Sequence, residues 1–157
     1  MDKILCLLEE NGRLTNRQLA AMTDRNEADV AAAVAAYEKE GVILGYPALI
    51  DWDQTDKEYV QAIIELKVTP ERDTGFDKVA EAVCKFEQVK SIYLMSGAYD
   101  LSLIVEGKTM KDIAFFVAKQ LASIDSVTST ATHFIMKKYK DKGVVFPAPE
   151  DERGNFN

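Results

Sequence analysis

Five residues in the second half of the chain carry groups that suit a small ligand with opposite charges. Gly97, Tyr99 and Asp100 fall in a short turn, SGAYD, between two apolar runs. The Asp100 carboxylate suits an ammonium group through a charge-assisted hydrogen bond, while main-chain N–H groups of the turn suit a carboxylate. Thr130 and Thr132 can add hydroxyl contacts. Taken by themselves, the same residues favour a plain glycine turn beside a solvated carboxylate.

A second polar group lies near the N-terminus, around two predicted helix starts. It comprises Arg13, Thr15, Asn16, Arg17, Arg25 and Asn26. A phosphate suits these residues because the N-terminus of a helix favours anions. For Thr15 and Asn26 helix capping is the favoured interpretation, and the arginines also fit as ordinary surface charges.

Catalytic and metal chemistry find no support in the sequence. It contains no glycine-rich phosphate loop and no serine elbow, and a predicted strand carries its one histidine, His133, without a candidate partner. Cys6 and Cys84 fall at apolar positions of predicted helices, so we expect reduced, buried thiols. We therefore expect no enzyme activity, no cofactor and no bound metal.

The N-terminal pattern predicts three helices in the spacing of a helix-turn-helix. Helix one covers Lys3–Glu10, a Thr-x-x-Gln capping box opens the second through Met22, and Asn26 caps a third that ends near Glu40. Residues 42–46 predict a short β wing, and residues 46–53 a linking strand.

The rest of the chain predicts an α+β domain with the order β-α-β-β-α-β, the ferredoxin-like arrangement. Alternating apolar residues predict strands over 59–69, two strands within 89–107, and a last strand over 127–139. Two amphipathic helices lie between them. The predicted modules are therefore 1–53 and 58–140, followed by a surface tail over 141–157.

Three segments in this order resemble the Lrp/AsnC family, also called feast/famine regulators. Residues 37–46, YEKEGVILGY, are similar to its LExxGVIxGY segment, and residues 97–100, GAYD, to its G-x-Y-D turn. Residues 130–132, TAT, are similar to its closing strand. The similarity of layout covers nearly the whole chain.

This resemblance implies assembly, effector binding and DNA binding. The ferredoxin-like half would dimerise through its sheet, and dimers would form tetramers or octamers. Small effectors, commonly amino acids, would bind between dimers near the glycine-containing turn. The N-terminal halves would bind DNA as paired readers, and residues 46–53 would tie halves and protomers together.

The predicted third helix departs from that pattern. From Glu27 to Glu38 it has no Arg, Lys, Asn, Gln, Ser or Thr, and Ala33 stands where the family usually has arginine. Residues 1–53 carry five basic and ten acidic side chains, within a net charge of −7 for the chain. Because phosphate contacts need donors and positive charge, we expect DNA binding that is weak or strongly salt-sensitive.

Together these features predict a ligand-responsive transcriptional regulator that acts as a dimer or larger ring. The alternative is a small-molecule-binding or assembly protein whose helix-turn-helix has lost DNA contact. The N-terminus shows no signal-peptide pattern and no segment is apolar enough to cross a membrane, which predicts a cytoplasmic protein.

Overall fold

The structure is a computed structural model that describes residues 2–70, 72 and 75–147. The chain divides into two compact units, with the boundary between Ile50 and Asp51. None of the helices in the described residues is long and apolar enough to span a membrane.

Three helices form the first unit: α1 (Lys3–Glu10), α2 (Asn16–Thr23) and α3 (Glu27–Lys39). The predicted capping box is present, with the Thr15 side chain accepting from Gln18 N and the Gln18 side chain accepting from Thr15 N. Each helix contributes apolar side chains to one core, whose buried members are Ile4, Leu8, Leu19, Ala20 and Val30. This packing confirms the predicted three-helix module.

A glycine ends α3. Gly41 has φ +72°, and the N–H groups of Gly41 and Val42 donate to the carbonyl oxygens of Glu38 and Tyr37 at 3.2 and 2.9 Å. These two bonds define a Schellman motif, in which glycine takes the left-handed position without a Cβ clash.

No β strand forms over the predicted wing, residues 42–46, or over the predicted linking strand, residues 46–53, in the described single chain. Residues 43–50 form no strand, and Trp52–Gln54 is a short 3-10 helix. The residues are apolar enough for a strand, but no second strand pairs with them, and Leu44 is 93% exposed. A strand needs a partner for its main-chain groups, and local sequence does not supply one.

One member of this segment does pack within the first unit. The Tyr46 hydroxyl donates to Glu38 Oε1 at 2.8 Å, and its ring lies against Gly12, where an added Cβ would come within 3.1 Å of Tyr46 Cδ1. Gly12 therefore leaves the space that the Tyr46 ring fills.

The second unit has the predicted β-α-β-β-α-β order. Its elements are β1 (Val60–Val68), α4 (Asp77–Cys84), β2 (Val89–Leu94), β3 (Leu101–Gly107), α5 (Met110–Phe116) with a π-helical end (Val117–Leu121), and β4 (Val127–Phe134). The sheet order β2-β3-β1-β4 is antiparallel throughout and matches the ferredoxin-like arrangement.

Alternation along β1 and β3 separates the two faces of the sheet. The inner face packs on α4 and α5, and its buried side chains include Ala62, Ile64, Leu66, Leu101, Leu103 and Val105. The opposite face, which we call the open face, carries Ile63, Glu65, Ile104 and His133 in paired positions.

The two cysteines are less buried than the sequence predicts. Cys84, at the end of α4, is exposed, and Cys6 is half-buried.

The last strand is shorter than predicted. It ends at Phe134 rather than residue 139, although Ile135 N still donates to Gln61 O at 2.9 Å. Because β1 begins at Val60, residues 137–139 have no partner in it. Residues after β4 form a two-stranded hairpin, β5 (Lys140–Asp141) with β6 (Val144–Val145), which begins at the last residue of the predicted domain and continues into the predicted tail. The rest of that tail, 148–157, lies outside the described residues.

Gly107 provides a test of the packing between β3 and α5. An added Cβ would lie 2.9 Å from Cγ1 of Ile113, which is 1% exposed and has no room to move. We expect Gly107→Ala to lower the free energy of unfolding by about 1–3 kcal/mol, as overpacking does. Gly97→Ala is the control, because its Cβ would meet nothing within 4 Å. Chemical denaturation should separate the two variants, and equal midpoints would contradict the predicted contact.

Candidate functional site

The loop between β2 and β3, residues 95–100, is held against β1 by its last residue. Asp100 N donates to Leu66 O at 2.9 Å, Asp100 O accepts from Met95 N at 2.8 Å, and Asp100 Oδ2 accepts from Val68 N at 2.8 Å. Three hydrogen bonds thus converge on one residue. The tip of the loop, residues 96–98, is exposed.

Gly97 does not need to be glycine for any reason within its own chain. Its φ is not in the left-handed region, and a Cβ built there meets no atom within 4 Å. The turn therefore does not use a left-handed φ at Gly97. The surface beside Gly97 is open for close approach by another molecule.

The structure brings four of the five predicted ligand residues to one end of β1. Tyr99 and Asp100 are half-buried at the loop end, and Thr130 pairs with Leu66 from the other side. Asp100 N bonds Leu66 O from one side of β1 and Thr130 pairs with Leu66 from the other. The loop end and β4 are therefore about 10 Å apart, across two strand spacings. Gly97 is at the loop tip. Thr132 is exposed and two residues farther along β4, beside Ile64.

In the first unit, two of the six predicted phosphate ligands act as caps. Thr15 caps α2 within its capping box. Asn26 Oδ1 accepts from Ala28 N at 2.8 Å and caps α3. Both side-chain oxygens therefore serve the main chain, as the structural interpretation of these residues expected.

Arg25 belongs to a cluster centred on Asp2. One carboxylate oxygen of Asp2 accepts from Ile4 N at 3.1 Å and caps α1, and the other accepts from the Tyr37 hydroxyl at 2.6 Å. Arg25 Nη1 lies 3.5 Å from that second oxygen. These contacts join α1, the turn before α3 and α3 itself. The hydrogen bond from Tyr37, and then that from Ile4, hold the pKa of Asp2 below its usual value of 3.8.

The remaining three candidates are exposed. Arg13 lies in the turn after α1, while Asn16 and Arg17 open α2. Among the described residues, the side chains of these three predicted phosphate donors form no helix cap and no ion pair. The exposed side of α3 matches its sequence, with acidic and alanine side chains at Glu27, Ala28, Asp29, Ala32 and Ala35.

Sequence reasoning missed a polar cluster at the start of β1. The Tyr59 hydroxyl donates to Glu106 Oε1 at 3.1 Å, and Lys138 Nζ donates to the Tyr59 oxygen at 3.4 Å. Lys57 Nζ lies 3.6 Å from the centroid of the Trp52 ring, a cation–π contact. Burial and the nearby Glu106 raise the pKa of Tyr59 above its usual value. Only the closeness in sequence of Trp52, Lys57 and Tyr59 hinted at it.

On the open face, His133 Nε2 lies 3.0 Å from Glu65 Oε2, and both side chains are well exposed. Their neighbours on β1 and β3, Ile63 and Ile104, pair directly across the two strands. No group of three or more metal-ligating side chains occurs in the part of the chain that the structure describes.

A helix-turn-helix module followed by a ferredoxin-like domain defines a regulator with separate DNA-binding and ligand-binding halves. A winged helix-turn-helix DNA-binding model matches residues 3–43, and an Lrp/AsnC ligand binding domain model matches residues 61–145. The chain belongs to the Lrp/AsnC family of transcriptional regulators. The match to a DNA-binding model supports a regulator over an assembly protein that has lost DNA contact.

Relatives share this organisation over most of their length. The uncharacterized HTH-type transcriptional regulator YugG of Bacillus subtilis is 47% identical, across 96% of this chain and 92% of the relative. The leucine-responsive regulatory protein of Haemophilus influenzae is 26% identical, across 88% and 82%. The crystal structure of the Neisseria meningitidis regulator NMB0573 with L-Met has a TM-score of 0.73 and 26% identity, across 94% of this chain and 96% of that one.

The Asp2 cluster predicts a pH dependence. Because folding lowers the pKa of Asp2, its stabilising effect is complete above the unfolded value, near 3.8, and is lost as pH falls through the lower folded value. We expect Asp2→Asn to lower stability at pH 7 and to lose less stability than wild type toward pH 2. Asn keeps an acceptor for Ile4 N but not the charge beside Arg25.

Amide exchange of α1 in the full chain, measured at several pH values, checks this expectation. The difference between wild type and Asp2→Asn isolates the one carboxylate, since all other acidic groups are shared. A difference in α1 protection between wild type and Asp2→Asn that is the same at every pH would contradict the role assigned to Asp2.

Proposed function

We propose that the protein is an amino-acid-responsive regulator whose effector binds beside the loop of residues 95–100. Gly97, Tyr99, Thr130 and Thr132 line the site, and Asp100 lies at the end of the same loop. The observation that carries this proposal is Gly97, which has no contact within its own chain that requires glycine. An exposed glycine between two ordered strands allows close approach of a ligand to the main chain.

The L-Met complex of NMB0573 supports an amino acid as the effector, since that relative shares the fold across nearly the whole chain. Main-chain N–H groups of the loop suit the effector's carboxylate, and the threonine hydroxyls on β4 suit its polar groups. The loop tip is exposed in the single chain, and we propose that another copy of the chain covers it.

We also propose that the open face pairs with a second copy to form a dimer, and that dimers assemble further into a tetramer or octamer. Ile63 and Ile104 give this face an apolar centre, with Tyr93 54% exposed beside it. Uncovered apolar area of this kind on a sheet is typical of an interface. Effector binding would then shift assembly and DNA occupancy if its affinity differs between the assembled states.

For DNA, we propose contacts from the first unit through Arg13, Asn16 and Arg17, with Thr15, Arg25 and Asn26 shaping the same surface. The module acts in the cytoplasm, where its DNA is. Its acidic balance and donor-poor α3 leave phosphate contacts as the main attraction, so binding is weak or strongly salt-sensitive.

Substituting the loop glycine tests the effector site. We expect at least one of the twenty amino acids to raise the melting temperature or change the mass in light scattering of wild type. Gly97→Val should weaken binding of that amino acid by about tenfold or more, because the branched side chain fills the space that the ligand would occupy. The melting temperature without ligand should change little. Ser96→Ala, next to it in the loop, is the matched control. No response of wild type to any amino acid would refute the effector proposal.

Paired arginine substitutions test the DNA surface. With a labelled random-sequence duplex, we expect Arg13→Ala with Arg17→Ala to lower affinity and to reduce the log–log salt slope by roughly 2, about 0.9 per contact. Lys39→Ala, exposed at the end of α3, is the control and should leave the slope unchanged. Tight wild-type binding at physiological salt would contradict the expected weakness. No binding even at low salt would favour the alternative of a module without DNA contact.

A further inference from the structure

Asp100 stands where the central strand β1 runs past the end of β3. The ladder between them ends at Leu66 paired with Leu101, while β1 continues to Val68. The Val68 N–H therefore faces the β3 side with no strand residue to accept it. Asp100 Oδ2 accepts it instead, at 2.8 Å.

The other side of β1 is irregular at the same point. Its pairing with β4 shifts register between Lys67 and Val68. The next N–H, that of Thr69, is accepted by Ser126 O at 2.9 Å, so successive main-chain donors are satisfied on opposite sides. Without the Asp100 carboxylate, the N–H of Val68, a 5% exposed residue, would lack its partner. A main-chain donor left unpaired in such a place is costly.

Asp100 also fixes the loop through its own main chain. Its N–H is bonded to Leu66 O, and its carbonyl oxygen accepts from Met95 N and closes the loop. One residue therefore joins both ends of the loop to β1. The position of Gly97 and Tyr99 depends on these bonds.

We propose that Asp100 is a positioning residue, whose carboxylate holds the loop with Gly97 and Tyr99 against β1 and does not bind the effector's ammonium group. This inference rests on the proposed effector site at the same loop. It follows that the negative charge of Asp100 is dispensable for effector binding. The site requires the Asp100 oxygen that accepts from Val68 N, and other groups accept from the effector's ammonium group.

Two substitutions distinguish positioning from direct contact. Asn at position 100 retains a side-chain oxygen for Val68 N but has no charge, whereas Ala has neither. We expect Asp100→Asn to bind the amino acid that gives the largest thermal shift within about threefold of wild type. Asp100→Ala should weaken it by about tenfold or more. If Asp100 formed an ion pair with the effector's ammonium group, Asp100→Asn would not retain effector binding.

Amide exchange at Val68 provides an independent measurement in the same full-length variants. We expect protection of the Val68 amide to be kept in Asp100→Asn and lost in Asp100→Ala. If Asp100→Asn loses the amino acid as fully as Asp100→Ala while Val68 stays protected, the carboxylate contacts the ligand and the inference is overturned.

The exchange data also separate this inference from the proposed function. If no amino acid affects wild type, the effector proposal fails, yet loss of Val68 protection in Asp100→Ala alone would still support positioning of the loop. Unchanged protection in both variants would overturn the positioning role whatever the effector result.

Discussion

The second unit depends on β1 being hydrogen-bonded along both edges. Its register with β3 and β4 decides which side chains enter the core and which remain on the open face. A slip of one residue would move Leu66 out of the core, so burial fixes the pairing strongly. The same register places Asp100 and Thr130 on either side of Leu66. The loop and the last strand are therefore brought together by a strand that carries none of the predicted ligand residues.

Much of the fold was visible in the sequence because its signals are local. A period of two marked the strands, and the capping box at Thr15 marked a helix start within four residues of chain. The extent of a strand is different, because it depends on its neighbour. The last strand ends at Phe134, short of residue 139, because β1 begins at Val60 and has no residue opposite 137–139. Residues 42–46 form no strand in the described chain. Composition alone does not show where a partner ends.

The candidate sites show the same division between residue type and partner. Sequence named Asp100 as a polar residue beside a turn, but its contact with Val68 spans 32 positions. The hydrogen bond from Tyr37 to Asp2 spans 35 positions, and Arg25 forms an ion pair with the same carboxylate. A pattern indicates that a side chain is able to bind something. Tertiary packing decides whether another group of the same chain already bonds to that side chain.

Gly97 has a consequence for how such a regulator could be re-engineered. Its φ lies outside the left-handed region and a Cβ there would meet no atom within 4 Å, whereas the end of the same loop is bonded to β1. Residues 96–98 can thus be randomised in a library with little penalty in expression or solubility, while the anchored end is left intact. Selection on such a library would act on recognition alone, which is the property a biosensor for a new metabolite requires.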